Sequence, residues 1–145
     1  MKPDSKTPIA HAEKTIDEIL AVQEPSGYLA TQFHGETRYG GRMTSVKDRL
    51  TPETLDWGHE DYALGHMLQS AIAYYRATGE TRYLDAAARF ADFIARDFGP
   101  DKKPFLAGHP VVEMGLIELY RTTGQKRYLD LASYILNGDP RIDRP

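Results

Sequence analysis

The sequence predicts an all-α fold built of stacked helical hairpins. Over most of the chain, apolar residues recur at steps of three and four, which is the spacing of amphipathic helices and not of strands. One segment also repeats, because YRATGETRYLD from Tyr75 to Asp85 returns as YRTTGQKRYLD from Tyr120 to Asp130, at an offset of 45 residues. A period of this length that contains two helices is typical of one helix pair in a stacked array. We therefore expect about five helices in a single domain.

The first part of the chain is predicted to hold one helix and one long loop. Apolar residues at helical spacing place helix one at about Ile9–Val22. Pro25 and Gly27 interrupt the pattern, and residues 28–31 are interpreted as an extended piece. Residues 34–57 contain glycines and charges without a sustained period, so we predict a long loop there. A loop of that length usually borders a functional site or is poorly ordered.

Four further helices are predicted as two hairpins. Their expected bounds are about 60–77, 82–97, 110–123 and 126–136. Gly79 and Gly124 are expected to end the first helix of each hairpin. Gly108-His109-Pro110 is expected to open the fourth helix, because proline is well tolerated at the first helical position. The tail at 138–145 has two prolines and no helical period, so it is predicted to be irregular.

Composition limits the classes of function. The 145-residue chain has a net charge of −3 and no Lys/Arg cluster, so a nucleic-acid partner is not expected. The absence of cysteine excludes disulfides, thiolate metal ligands and a cysteine nucleophile within this sequence. The N-terminus lacks the apolar core of a signal peptide, and no run approaches the roughly 18 to 20 apolar residues of a membrane span. We therefore expect no membrane partner and, by default, a cytoplasmic location for the domain at 1–145.

Polar and aromatic residues gather where helices two and four are predicted to begin. The candidate binding residues are Trp57, His59, Glu60, His66 and His109. If the hairpins stack, these helix starts share one rim of the array, and His59 becomes a neighbour of His109. Imidazoles beside an indole and carboxylates suit a sugar site, because stacking and directional hydrogen bonds hold a hydroxylated ring.

Each candidate also has a purely structural interpretation. His59 and His109 occupy positions where a histidine is often a helix cap or a surface residue. His66 lies in an apolar stripe, which would suit a hydrogen-bonded core histidine. A lone tryptophan such as Trp57 is often a packing residue.

Neither a metal site nor a catalytic residue is predicted in this chain. His59 and His66 lie about two helical turns apart, which is too far for one tetrahedral ion without further ligands. Glu60 and Glu113 are expected at helix starts, where the helix dipole favours ionised carboxylates over a protonated acid.

Three segments resemble the motifs of one known family. HEDYALGHM at His59–Met67 resembles an HE-x-Y-x-x-GH motif, and the block at Gly108–Ala132 is similar to a GHP-x-x-E block that ends in LYR-x-TG. QEPSGYLAT at Gln23–Thr31 looks like a Q-x-x-DGYL segment. These are motifs of glycoside hydrolase family 127, the β-L-arabinofuranosidase family. The resemblance covers most of residues 9–136.

The resemblance implies part of an (α/α)6 barrel, that is, a partial (α/α) toroid. It implies that His59 and His109 line the sugar subsite. It also implies a zinc-held cysteine thiolate as nucleophile and a glutamate as acid/base, both in the later half of the family's barrel. Because this chain contains neither that half nor a cysteine, we expect it to carry no cofactor and no nucleophile, with zinc held only in the part that it lacks.

Three functions are compatible with these observations. The first is a fragment of a glycoside hydrolase that carries part of the subsite for an arabinofuranoside-like sugar and is inactive alone. The second is a stand-alone helical-repeat module that binds a carbohydrate or a partner protein. The third is another α/α-toroid sugar enzyme, such as an epimerase or an unsaturated glycuronyl hydrolase. A partial toroid leaves an apolar flank uncovered, so self-association through that flank is also expected.

Overall fold

A computed structural model describes residues 7–29, 59–105, 107 and 109–141. The helices within these ranges are α1 (Pro8–Val22), α2 (Glu60–Thr78), α3 (Arg82–Asp97), α4 (Val112–Thr123) and α5 (Lys126–Asn137). Outside the helices, the described residues form one isolated bridge, between Phe98 and Lys103. The predicted all-α fold is confirmed. The predicted loop at 34–57 lies outside the described residues.

The helices form two layers. α2 packs side by side with α4, whereas α3 packs against α2 and α5 packs against α4. α3 also contacts both α1 and α5. The inner layer therefore consists of α2 and α4, and the outer layer of α1, α3 and α5, which is the predicted arrangement of a partial (α/α) toroid. No helix among the described residues is long and apolar enough to cross a membrane.

The two layers share one apolar core. Complete burial of a leucine or phenylalanine side chain contributes about 1.5 to 3 kcal/mol. Burial of these side chains therefore stabilises the packing of the two layers. The largest fully buried side chains of the core are Tyr28, Leu64, Leu68, Ile72, Phe90, Ile94, Phe98, Phe105, Leu116 and Tyr128.

Glycines let α2 and α4 approach each other closely. A Cβ atom on Gly65 would lie 2.8 Å from the carbonyl carbon of Val111 and 2.8 Å from the amide nitrogen of Val112. A Cβ atom on Gly115 would lie 3.1 Å from the carbonyl oxygen of Gly65 and 3.0 Å from the Cβ of Leu68. Only a residue without a side chain fits at Gly65, because the opposing atoms are backbone atoms. We call this contact the glycine crossing.

The repeated TG turns end α2 and α4 in the same way. Gly79 and Gly124 have φ angles of 78° and 72°, in the left-handed region that glycine adopts without strain. Their amides donate to the carbonyls of Tyr75 at 2.8 Å and Tyr120 at 2.7 Å. The repeat therefore encodes the same C-terminal cap twice, and both predicted helix ends are confirmed.

The start of α4 differs from the prediction. The helix begins at Val112, so Pro110 lies two residues ahead of it and not at its first position. The amide of Val111 donates to the carbonyl of His109 at 2.9 Å, which makes a tight three-residue turn before the helix. This turn keeps His109 outside α4, where its ring is not constrained to the helix surface.

A polar cluster holds the residues that follow α5. The carboxylate of Asp139, which is only 5% exposed, accepts hydrogen bonds from the Tyr134 hydroxyl and from Nε of Arg141, the latter at 2.8 Å. Arg141 also donates to the carbonyls of Gly99 at 2.8 Å and Lys102 at 2.7 Å. The hydrogen bonds from the Arg141 guanidinium are the main reason why the pKa of Asp139 lies well below its usual range. The cluster therefore ties the residues after α5 to the loop after α3.

We expect Tyr128 to make stability fall at high pH. Its side chain is buried in α5, and burial raises the pKa of its phenol to about 12. In the unfolded chain this phenol ionises near pH 10, so its contribution to stability is complete below about pH 10 and is lost as the pH rises towards 12. Between pH 8 and 11 the wild type should lose about 1 kcal/mol more than the Tyr128→Phe variant. Urea unfolding followed by circular dichroism measures this difference, and equal losses in both proteins would contradict it.

Candidate functional site

His59 stands directly before α2 in a strained backbone conformation. Its φ of 62° lies in the left-handed region, which a non-glycine residue adopts at a cost. Its carbonyl accepts the amide of Ala63 at 2.8 Å and so closes the first turn of the helix. Within the described part of the chain, its side chain makes no capping hydrogen bond. The exposed imidazole is therefore not explained as a helix cap.

Four rings cluster at the starts of α2 and α4. The ring centroids of His59 and His109 are 4.9 Å apart, so their predicted approach is confirmed. The Tyr62 ring lies 5.2 Å from His109 and 6.3 Å from His59. It also lies 4.4 Å from His66, one turn further along α2. We call these four residues the imidazole rim.

The imidazole rim is open to solvent. His59 and His66 are exposed, and Tyr62 retains 41% of its accessible surface despite its three ring neighbours. The interpretation of His66 as a core histidine is therefore wrong. His109 is half-buried, and among the described residues its Nδ1 atom is buried without a hydrogen-bond partner. The rim thus presents imidazole nitrogens and an aromatic ring to whatever approaches from solvent.

The carboxylates at the same helix starts point into the protein. Glu60 is fully buried, and Asp61 and Glu113 are nearly so. The Tyr28 hydroxyl donates to Oε1 of Glu60 at 3.3 Å, and Oδ1 of Asp61 accepts the amide of Tyr62 at 2.8 Å. The positive end of a helix dipole favours negative charge at these positions. In the structure, Glu60 contacts Tyr28 inside the fold. Its predicted contact with a sugar stays a prediction.

One predicted candidate lies outside the described residues, and one residue of the imidazole rim was not predicted. Trp57 lies outside the described residues, so its predicted role stays a prediction. Tyr62 lies at the centre of the imidazole rim, but it is not among the candidates predicted from the sequence. Its position, three residues after His59 and four before His66, is the helical spacing that places side chains on one face, and that signal could have identified it.

A metal centre does not fit the described residues. They contain no group of three or more histidine, cysteine, aspartate or glutamate side chains placed to hold an ion. The whole sequence also lacks the cysteine that a thiolate zinc site requires.

An apolar groove lies between α1, α2 and α3, next to the imidazole rim. Its volume is about 520 Å³, and its walls include Val22, Met67 and Phe90. His66 belongs to both the groove and the rim. The Val22 side chain is 45% exposed. We call this feature the α1–α2 groove.

The fold and the site together define a class of protein, a partial helical toroid with imidazoles at the starts of its inner helices. The family model for the β-L-arabinofuranosidase GH127 catalytic domain matches residues 2–140 of this sequence. The chain belongs to that family, as its motifs predicted.

Individual relatives support this membership. The chain is 34% identical over 130 residues to the non-reducing end β-L-arabinofuranosidase of Bifidobacterium longum subsp. longum, a match that covers 88% of this chain and 19% of that protein. It is similar to the solved structure of a GH127 β-arabinofuranosidase, with a TM-score of 0.79, 34% identity and coverage of 98% of this chain and 22% of the other.

A GH127 β-L-arabinofuranosidase from Geobacillus stearothermophilus T6 is also similar, with a TM-score of 0.72 and 34% identity over 87% of this chain and 19% of the other. The chain therefore spans about a fifth of the length of these relatives.

Proposed function

We propose that this chain forms part of the sugar subsite of a GH127 glycoside hydrolase and binds a β-L-arabinofuranosyl ring through His59 and His109. The observation that carries the proposal is the 4.9 Å separation of these two imidazole rings at a surface open to solvent. At that spacing both imidazoles reach neighbouring hydroxyl groups of one sugar ring. The relatives, which are named as arabinofuranosidases, indicate which sugar to test.

Tyr62 and His66 extend the proposed subsite along α2. An exposed tyrosine ring offers an apolar face for the C–H groups of a sugar and a hydroxyl for its polar groups. The contacts of Tyr62 with His66 and His109 hold its ring at the centre of the rim. The sugar would therefore lie over Tyr62, with His59 and His109 at its hydroxyl groups.

A histidine NMR titration tests this proposal. On addition of methyl β-L-arabinofuranoside, the imidazole signals of His59 and His109 should shift along one saturable curve. His11 provides an internal control, because it is exposed on α1 and lies outside the rim. Its mirror image, methyl β-D-arabinofuranoside, is the ligand control. Shifts of equal size at His11, or no preference for the L-sugar, would contradict the proposal.

We expect this chain alone not to hydrolyse arabinofuranosides. Glycoside cleavage with a covalent intermediate requires a nucleophile and an acid/base on either side of the anomeric carbon. Glu60 and Glu113 are buried. The proposal assigns no cofactor to this chain, because it places zinc in another part of the family's domain. An aryl β-L-arabinofuranoside, supplied with zinc and a reductant, should show only background hydrolysis. Turnover that disappears in Glu60→Gln or Glu113→Gln would show that the chemistry lies in this chain.

The α1–α2 groove supports a second candidate function, contact with another protein surface. An exposed apolar groove beside polar residues is typical of an interaction site.

We propose that two copies of this chain associate through the groove, and that Val22→Asp weakens the dimer at least tenfold because it places a charge on the apolar wall. Ile9→Asp is a matched control, since Ile9 is an exposed α1 residue outside the groove. Light scattering across a concentration series measures the mass, and a monomeric wild type at about 100 μM would contradict the proposal.

A further inference from the structure

A buried hydrogen bond joins the segment after α1 to the first residue of α2. The Tyr28 hydroxyl donates to Oε1 of Glu60 at 3.3 Å, and both side chains are fully buried. A carboxylate buried to this extent is costly unless hydrogen bonds satisfy its oxygens. The Tyr28 hydroxyl supplies one such hydrogen bond to Glu60.

Tyr28 is itself held firmly against α3. Its ring packs edge-on against Phe90 at 6.0 Å and, at a tilt of 51°, against Phe93 at 5.4 Å. The preceding residue, Gly27, has a φ of 93° and lies so close to α3 that a Cβ atom would be 2.4 Å from the carbonyl oxygen of Arg89. Glycine is required there on both counts. The tyrosine ring consequently has little freedom to move away from Glu60.

Gln23 completes the frame around Tyr28. Its side-chain amide donates to the carbonyl of Gly27 at 2.9 Å and to that of Ala86, in α3, at 2.8 Å. Its side-chain oxygen accepts from Arg89 at 2.6 Å. These bonds lock the turn that presents Tyr28, so the whole segment from Gln23 to Tyr28 acts as one support attached to α3.

The support ends next to a residue of the imidazole rim. His59 precedes Glu60 in the chain and has the strained φ of 62°. A strained backbone conformation persists only where surrounding contacts fix it. Glu60 faces the interior, whereas His59 faces solvent, and the His59 ring lies 4.9 Å from that of His109.

We propose that Tyr28 and Glu60 are positioning residues for the imidazole rim, and that their buried hydrogen bond holds His59 in the orientation in which it faces His109. The effect on sugar affinity rests on the proposed function. The effect on the geometry of His59 does not, and it is measured separately.

Tyr28→Phe tests the proposal by removing one hydroxyl and leaving the ring in place. We expect the helical circular dichroism spectrum to persist, the NMR cross-peak between the His59 and His109 imidazoles to weaken or vanish, and the affinity for methyl β-L-arabinofuranoside to fall about tenfold. Tyr83→Phe is the matched control, because it removes a tyrosine hydroxyl that also bonds to α2, at Ser70, at 3.0 Å. Ser70 lies about three helical turns from His59, so this control should keep the cross-peak.

The outcomes separate the possible explanations. A folded Tyr28→Phe protein with the wild-type cross-peak would overturn the proposal, whatever happens to sugar affinity. An equal loss in Tyr83→Phe would overturn it as well, because it would indicate a general effect of lost stability. If neither the wild type nor any variant binds the sugar, the proposed function fails while the cross-peak still decides the positioning role.

A second pair of variants covers the case in which Tyr28→Phe does not fold. Glu60→Gln keeps an acceptor oxygen for the Tyr28 hydroxyl and should keep the cross-peak between His59 and His109. Glu60→Ala removes that acceptor and should lose the cross-peak. If both variants keep it, or both lose it, the hydrogen bond does not position His59 and the proposal is wrong.

Discussion

Replacement of Gly65 by alanine should destabilise the protein by about 2 to 3 kcal/mol, as expected for overpacking in a rigid core. The added methyl would sit 2.8 Å from two backbone atoms at the Val111–Val112 junction, and backbone atoms cannot rotate away as a side chain would. α2 and α4 would have to separate. Small domains have a total stability of only about 5 to 15 kcal/mol, so this loss is a large fraction of it.

The sign of the effect makes this a sharp test. Glycine to alanine inside an unobstructed helix stabilises it by about 0.8 to 1 kcal/mol, so intrinsic helix propensity predicts the opposite result. Urea unfolding followed by circular dichroism gives the free energy of unfolding. Gly79→Ala serves as the comparison, because the described residues leave open space around Gly79 and only its positive φ of 78° costs energy, about 1 kcal/mol. A Gly65→Ala protein as stable as the wild type would refute the close crossing.

Replacement of His59 by glycine should separate stability from binding. Glycine relieves the left-handed strain at φ 62° and is expected to raise the free energy of unfolding by about 1 kcal/mol. The same change removes one of the two imidazoles that we propose contact the sugar, so affinity for methyl β-L-arabinofuranoside should fall about tenfold or more. A protein that becomes more stable as it loses affinity is expected when strain is kept at a functional site.

A second histidine on α2 supplies the control. His66 is exposed in the helix interior, where glycine is unfavourable, so His66→Gly should lower stability by up to about 1 kcal/mol. Opposite signs for the same replacement at two positions of one rim would identify the strain at His59 as the cause. Equal losses of stability would show that His59 is not strained, and undiminished sugar affinity in His59→Gly would remove His59 from the subsite.

Local signals in the sequence were sufficient for most of the fold. α3 spans Arg82–Asp97 as predicted, and the glycine stops at Gly79 and Gly124 hold because a left-handed cap is decided by a few neighbouring residues. The meeting of His59 and His109 also followed from the repeat, since stacked hairpins place equivalent helix starts side by side.

Interactions between distant segments could not be predicted from the sequence alone. Glu60 accepts a buried hydrogen bond from Tyr28, 32 residues earlier and across a stretch without periodicity, so no spacing rule connects them. Pro110 does not begin α4 as predicted, because the turn between His109 and Val111 outweighs the preference of proline for a helix start.

The glycine crossing, and not the TG turn, fixes how α2 and α4 are aligned along their lengths. The turn sequences recur at an offset of 45 residues, whereas His59 and His109, and likewise Gly65 and Gly115, recur at an offset of 50. Counted from the crossing, α4 therefore reaches its turn five residues sooner than α2 does, which is about 7.5 Å of helix. The far ends of the hairpins can consequently be lengthened or trimmed without moving the imidazoles, so insertions near Gly79 should be tolerated where insertions between His59 and Gly65 are not.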